Sequence, residues 1–479
     1  MSNQDALTRR NMARSRVLVF VAFAANAGLN VILLGILANW GGLELVGQWS
    51  FLNAILLLVT MADFGITNAL TFRIGRDGVA VMCPSLRTLL RGMAGLAALC
   101  VLIGLLSGWI DAAWGPALAL TVLAGFAQLA SNWLIAIRMG QHQQYWFNLK
   151  TILRVVLQTI AVLAFYVMLP GRELLALGLA MFISRWAELA LAKRMTRHDF
   201  SLRGPLADRS QIVELAKGFG LLSLGQRGVD PLSRLLISAL AGPVVLGAFT
   251  VAVRIPAVVN QSVSEALRAL LPGLSQMRGE AEREKALSLL RESVAGQLVL
   301  IGAPMLILGV HADLLFQVWL GHTEDALVLS LRILLFGSFI SALSTPFFWT
   351  IQAFGDAPSL GRLMLAPVGI ALILGGIVLW IIPEVVAFSS VYALSQIAGG
   401  VIAFWLANRY NGLTGEVFSQ LRPGLIVAFL SACAVSNILL GGALVGLKPV
   451  TALLLMLLAN AIVSGPLGLL LLRHSRLRS

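Results

Sequence analysis

The sequence predicts an all-α polytopic membrane protein of about 14 transmembrane helices with cytoplasmic N and C termini, and three observations carry the prediction. Of the 479 residues, 58% are hydrophobic and 12% charged, where a soluble domain has about 45–50% and about 25%. The apolar residues come in long runs, without the alternation over ~10-residue segments that a membrane barrel needs. Lysine and arginine collect on every other connection between the runs, as short cytoplasmic connections require.

The first hairpin is read at 17–38 and 46–70, entered past Arg9, Arg10, Arg14 and Arg16 and left at Arg73 and Arg76. Its first run is long enough to span and continues into a second, so a retained helix is expected rather than a cleaved signal peptide. Runs at 89–109, 116–137, 149–169 and 174–192 complete six helices. The same-side connections hold Arg87, Arg91, Arg138, Lys150, Arg154, Lys193, Arg194 and Arg197. The longest polar connection, 193–215, then precedes six more runs at 216–240, 244–267, 294–310, 327–351, 363–382 and 385–406. The charged stretch 278–292 reads as a cytoplasmic amphipathic helix, and 311–325 as an interfacial segment too short to span. Two appended runs, 423–445 and 450–472, end in a basic tail. The opposite side carries only Arg172 and Lys448. The organisation is therefore a six-helix bundle at 1–192, a cytoplasmic linker at 193–215, a second six-helix bundle at 216–406, and two further helices with the tail at 407–479.

The net charge of +13 is explained by this sidedness and does not call for nucleic acid. Cys83, Cys100 and Cys433 have no paired spacing, which argues against a disulfide framework or a zinc site. His142, His198, His311, His322 and His474 fall in connections or the tail, so neither a metal site nor a catalytic constellation is expected, and the chain does not read as an enzyme. Trp40, Trp49, Trp109, Trp114, Trp319 and Trp380 lie near span boundaries and read as interface anchors.

Function is sought in polar residues inside the spans, because a charge at the bilayer centre costs about 2.5–3.5 kcal/mol even on lenient scales. Ser223, Arg227, Asp230, Arg234 and Ser238 recur every three or four positions and share one helix face, with Pro231 expected to bend that helix as a hinge. Arg254, Gln261, Glu265 and Arg268 form a second stripe. In the first half, Asn26 with Asn30, Asp63 near Thr60 and Thr67, Gln128 with Ser131 and Asn132, Arg154 with Gln158, and Arg185 with Glu188 mark polar faces on successive helices. Structural alternatives stand beside each. The 227–234 charges can be a packing ion-pair cluster, Arg185 and Glu188 can neutralise each other, Asp63 can cap or bend its helix before Gly65, and Arg332 can be a snorkelling anchor.

The turn Gly42-Leu43-Glu44-Leu45-Val46-Gly47 matches Gly242-Pro243-Val244-Val245-Leu246-Gly247, and the match recurs at the same orientation, as in parallel repeats of a two-lobed transporter. The segments MADFGITNALTFRIGR (61–76), MGQHQQYWFNLKTILR (139–154), GQRGVDPLSRLLISALAGPVVLGAFTVAVRIPAVV (225–259) and FQVWLGHTEDALVLSLRILLFG (316–337), in that order, resemble the Wzx-type bacterial oligosaccharide flippases of the MATE-like MOP superfamily. One departure is the Pro231-Leu232-Ser233 insert between Asp230 and Arg234, where the resemblance leads one to expect acid and base nearly adjacent.

That resemblance implies a V-shaped MATE-like pair of bundles in the bacterial inner membrane. It also implies transport of undecaprenyl-diphosphate-linked O-antigen or exopolysaccharide repeat units to the periplasmic leaflet, alongside other polysaccharide assembly proteins. The expected cavity contacts are Arg227, Arg234, Arg254, Arg185, Gln261, Asn30, Gln128 and Arg154. No cofactor is expected, and Asp63, Asp230, Glu188 and Glu265 are the candidates for coupling to protons or sodium. The competing reading is a MATE-like ion-coupled exporter of small drugs or metabolites.

Overall fold

The computed structural model describes residues 3–67, 114–141, 145–196, 228–268, 280–353, 357–411 and 413–420, with isolated positions between them. Among the described residues 93% are helical and none lies in a strand, as an all-α membrane protein requires. Nine of the described helices are long and apolar enough to cross a membrane. The contacts divide the chain into two compact units, Met1–Ala239 and Leu240–Ser479. Of the predicted linker at 193–215 only 193–196 are described, and the division falls one helix later. A polar contact explains where the residues just before it belong: Arg234 Nη1 donates to Ser50 Oγ at 2.7 Å, inside the first unit.

In the first unit, α1 (Asn3–Met61) is two helices that meet at a kink at Gly42, inside the connection predicted at 39–45. Gly42 alone leaves helical geometry there, at φ 68° and ψ −170°, a region open essentially only to glycine. The helix stops at Met61, before the predicted 70, in a turn where Phe64 (φ 42°) and Gly65 (φ 81°) both turn left-handed. Next come α2 (Gly115–Gly140), with Pro116 in the first turn where no donor is needed, α3 (Tyr145–Met168) and α4 (Glu173–Thr196). Glu173 at the start of α4 and Lys193 and Arg194 at its end complement the helix dipole. The predicted span at 89–109 lies outside the described residues. Trp49 is buried, which corrects its reading as an interface anchor: it lies two turns past the Gly42 kink, well inside a helix rather than at its end.

The helix α5 (Val229–Arg268) repeats the construction of α1, with Gly242 at φ 83° and ψ 177° inside it. Pro231 falls in the first turn of α5, where the missing N–H breaks no bond, and the chain bends just before it, at Gly228, within the charged turn where a bend was expected. The stretch 278–292 is also corrected. It is not a separate surface helix but the start of a span: α6 (Glu280–Gln297) passes through a π turn, Leu298–Gly302, into α7 (Ala303–Val310). Ala286, Leu287, Leu290 and Arg291 are buried, so its apolar side is covered by protein.

The short α8 (Ala312–Leu320) follows, then α9 (Asp325–Ala353). The segment predicted at 363–382 is pieced together from α10 (Ala357–Leu363), α11 (Leu365–Gly369), a second π turn at Ile370–Leu374 and α12 (Gly375–Ile381). Last come α13 (Val385–Asn411) and α14 (Leu413–Gln420). The core of the second unit is aromatic. The Phe249 ring centroid lies 5.2 Å from those of both Phe388 and Tyr392, and Phe347 lies 5.3 Å from Phe404, all edge-on. Of the two appended spans only isolated positions are described, among them Phe429 and Cys433, buried against Ala303.

Candidate functional site

Lys150, Arg154 and Gln158 stand four residues apart on α3 and therefore share a face. This face meets a polar lining supplied by α1, α2 and α4. The Lys150 side chain is 1% exposed, and its Nζ lies 2.9 Å from Oε1 of Glu188 on α4, whose side chain is 3% exposed. The ammonium also donates to Asn132 Oδ1 at 2.8 Å and Ser131 Oγ at 3.3 Å on α2. Three N–H groups thus meet three oxygens, the full complement that burying an ammonium calls for.

Arg185, one turn before Glu188, is 4% exposed and has its Nη1 3.9 Å from Glu188 Oε2, the outer limit of an ion pair. Arg154, half-buried, donates from Nη2 to Asn26 Oδ1 on α1 at 3.3 Å. The same oxygen accepts from Asn30 Nδ2 at 3.2 Å, and Asn30 also donates to the Asn26 carbonyl at 2.6 Å. Nε and Nη1 of Arg185, Nε of Arg154, Oε2 of Glu188 and Oε1 of Gln128 are buried without a hydrogen-bond partner among the described residues. Among the described residues the cluster therefore holds three cationic side chains, Lys150, Arg154 and Arg185, against the single carboxylate of Glu188. Its excess is positive, and its spare donors are guanidinium N–H groups, which suit phosphate, carboxylate or halide ligands.

Asp63 sits beside this cluster's helices in a different role. Its carboxylate accepts from Thr67 N at 3.1 Å and Thr67 Oγ1 at 3.0 Å, capping the helical turn that restarts after Gly65. Trp133 Nε1 of α2 donates to it at 2.5 Å. These contacts hold the left-handed turn at Phe64 and Gly65 in place.

Arg234 of the first unit is engaged elsewhere. Arg234 forms an ion pair with Asp230 one turn earlier, both Nε and Nη2 lying 3.0 Å from Oδ1. Arg254 is half-buried and Gln261 exposed on α5; Glu265 belongs to that helix, and Arg227 lies outside the described residues. Arg332 donates to the carbonyls of Gly309 (2.8 Å) and Val310 (3.3 Å) at the end of α7. Among the described residues no group of three or more His, Cys, Asp or Glu is arranged to hold a metal ion.

Lys150 is the residue that sequence reasoning missed, because it was assigned to a cytoplasmic connection. α3 begins at Tyr145, ahead of the predicted 149, which puts Lys150 in its second turn rather than at the end of the helix. The signal was its four-residue spacing to Arg154 and Gln158.

No family model matches the sequence, and no curated protein matches it. Solved structures do. The structure described as lipid II flippase MurJ, inward closed conformation, superposes with a TM-score of 0.73 at 10% identity, covering 96% of this chain and 98% of that one. The fold is the one shared by MurJ and the MATE transporters. An inward-facing multidrug resistance MATE family transporter of the MOP superfamily gives 0.61 at 15% identity over 84% of this chain and 99% of its own. A mutant of a Vibrio cholerae MATE transporter gives 0.53 at 15% identity over 86% and 99%.

Proposed function

We propose that the protein is a flippase that carries an undecaprenyl-diphosphate-linked oligosaccharide repeat unit from the cytoplasmic to the periplasmic leaflet of a bacterial inner membrane by alternating access. The observation that carries this reading is the sign of the charge buried in the membrane-spanning helices of the first unit, where Lys150, Arg154 and Arg185 face one carboxylate. Burying uncompensated cations is expensive, and a substrate with a diphosphate supplies the missing negative charge. The likeness to a lipid II flippase over nearly the whole chain supports a lipid-linked substrate. Arg227, Arg234, Arg254, Arg185 and Arg154 are the proposed diphosphate and acidic-sugar contacts, and Asn30, Gln128 and Gln261 the neutral sugar contacts. Asp63, Asp230, Glu188 and Glu265 are the acids through which protons or sodium would couple, and other polysaccharide assembly proteins are the proposed partners.

The test is a gene deletion in the source bacterium, with lipid-linked repeat units and surface glycan quantified together. Accumulated prenyl-diphosphate oligosaccharide and lost surface glycan, restored by the wild type but not by Arg254→Gln, is the expected result. Intact glycan with drug hypersensitivity would overturn it in favour of a small-molecule exporter.

A further inference from the structure

We infer that residues 62–65 are a two-state element of the first unit, a break in the helix that rewinds when the Thr67 amide passes from the carboxylate of Asp63 to its carbonyl. The break is strained, and close packing does not call for it. Phe64, at φ 42°, is the one residue other than glycine with a positive φ among the described residues. Its ring is 69% exposed, so burial of that side chain does not offset the strain. The chain on both sides of the break lies against α2. A Cβ at Gly125 would stand 2.7 Å from Val59 Cβ, and one at Gly140 would stand 2.7 Å from Ile74 Cβ and 3.0 Å from the Thr71 carbonyl oxygen. Fifteen residues separate Val59 from Ile74, and fifteen separate Gly125 from Gly140. A continuous helix beside the continuous α2 would therefore reach the same two contacts.

What holds the break is a competition for one amide. In a continuous helix the Thr67 N–H would donate to the Asp63 carbonyl, four residues back. Here it donates to both oxygens of the Asp63 carboxylate at 3.1 Å, while the Asp63 carbonyl accepts from Ile66 N at 2.8 Å. Thr67 Oγ1 adds a bond to Oδ1 at 3.0 Å, and Trp133 Nε1 fixes that same oxygen from α2. Rewinding exchanges one bond of the Thr67 amide for another and releases the left-handed conformations of Phe64 and Gly65. It also turns the Phe64 peptide, which Gly220 meets backbone to backbone: a Cβ at Gly220 would lie 2.8 Å from the Phe64 carbonyl oxygen. Trp133 is thus a positioning residue for the broken state, and Gly220 is where the change is passed on. Use of this element as a gate rests on the transport reading, whereas its two states do not.

The test uses the purified full-length protein and reads amide hydrogen exchange in the peptide spanning 58–71 by mass spectrometry. Asp63→Ala removes the competing acceptor, and Gly65→Ala penalises the φ of 81° that only the broken state needs. Both are expected to slow exchange at 62–67 by about tenfold, the equilibrium shift that one such strain carries. Phe64→Gly, which relieves the strain without rewinding the turn, should exchange at least as fast as the wild type. A turn that is only structural gives the opposite sign, because losing its cap or its glycine frays it. Fluorine NMR of protein labelled with fluorotryptophan supplies the second readout, the Trp133 line being assigned by its loss in Trp133→Phe. That line should move in Gly65→Ala and stay in place in Phe64→Gly. Faster exchange at 62–67 in Asp63→Ala or Gly65→Ala, or an unmoved Trp133 line in Gly65→Ala, overturns the inference. If Gly65→Ala does not fold, the sign of the change in Asp63→Ala decides. Neither readout involves transport, so a failed glycan phenotype and a failed switch are separately visible.

Discussion

The two units make the same backbone manoeuvre and then hold their helices together differently. Each contains a glycine at which two helices meet in a kink, Gly42 at φ 68° and Gly242 at φ 83°, both with ψ near 180°. Past that point the interiors diverge. The first unit joins α2, α3 and α4 through a buried ammonium, a carboxylate and two guanidinium groups, whereas the second packs Phe249, Phe388 and Tyr392 edge to face and joins α9 to α13 by one neutral bond, Ser338 Oγ to Gln396 Oε1 at 2.9 Å. The fold needs only that helices meet. What they meet through is free to serve transport, as the buried Lys150–Glu188 pair of the first unit illustrates.

The comparison breaks most visibly at Glu188. Glu188→Gln leaves Lys150, Arg154 and Arg185 buried without a carboxylate and is expected to cost about 3–5 kcal/mol. The detergent-solubilised protein should unfold at markedly lower temperature, and adding Lys150→Met should recover most of the loss. A Glu188→Gln protein that melts with the wild type would mean that the cluster is not what joins these helices. Trp133→Phe tests the neighbouring contact. It removes the indole donor to the Asp63 carboxylate and should destabilise by about 1.5–3 kcal/mol, the range for a hydrogen bond to a charged group, with faster proteolysis near the 62–65 turn.

The shared manoeuvre is tested by Gly42→Ala and Gly242→Ala made separately. No atom of the described residues beyond the chain neighbours lies within 4 Å of an added Cβ at either glycine, so the expected loss is that of backbone strain, about 1–3 kcal/mol, and should be equal in the two variants by thermal unfolding. Unequal losses would show that only one of the two turns is under tension. The smallest effect belongs to the second unit's polar bond. Ser338→Ala should cost about 0.6 kcal/mol, the usual worth of an interhelical hydrogen bond in a membrane, and shift the melting curve only slightly.

Most of the helical architecture was legible because a bilayer imposes one rule, a long apolar run for each crossing, and 115–140, 173–196, 325–353 and 385–411 follow it closely. The errors cluster where charge was taken as a sign of exposure. Lys150 and the 278–292 stretch were counted with the cytoplasmic side for their charges, yet Lys150 is buried opposite Glu188, and Ala286, Leu287, Leu290 and Arg291 are buried on a helix that leads into a span. A sequence shows a charge but not its partner across a helix interface, so Arg185 and Glu188 were visible as an i,i+3 pair while the stronger Lys150–Glu188 pair was not. The glycine turns were legible as turns, but their brevity was not, since nothing in 39–45 says that one residue is enough.

The π turn at Leu298–Gly302 has a consequence for anyone reading this chain on a helical wheel. A widened turn fits one residue more into the same rise, so every side chain after it is rotated by about 100° from where an unbroken helix would carry it. A wheel drawn through 284–310 as a single helix therefore assigns residues 303–310 to the wrong quadrant. Removing one residue from the turn would restore a regular helix and swing Met305 and Ile307, now buried, away from the core they fill.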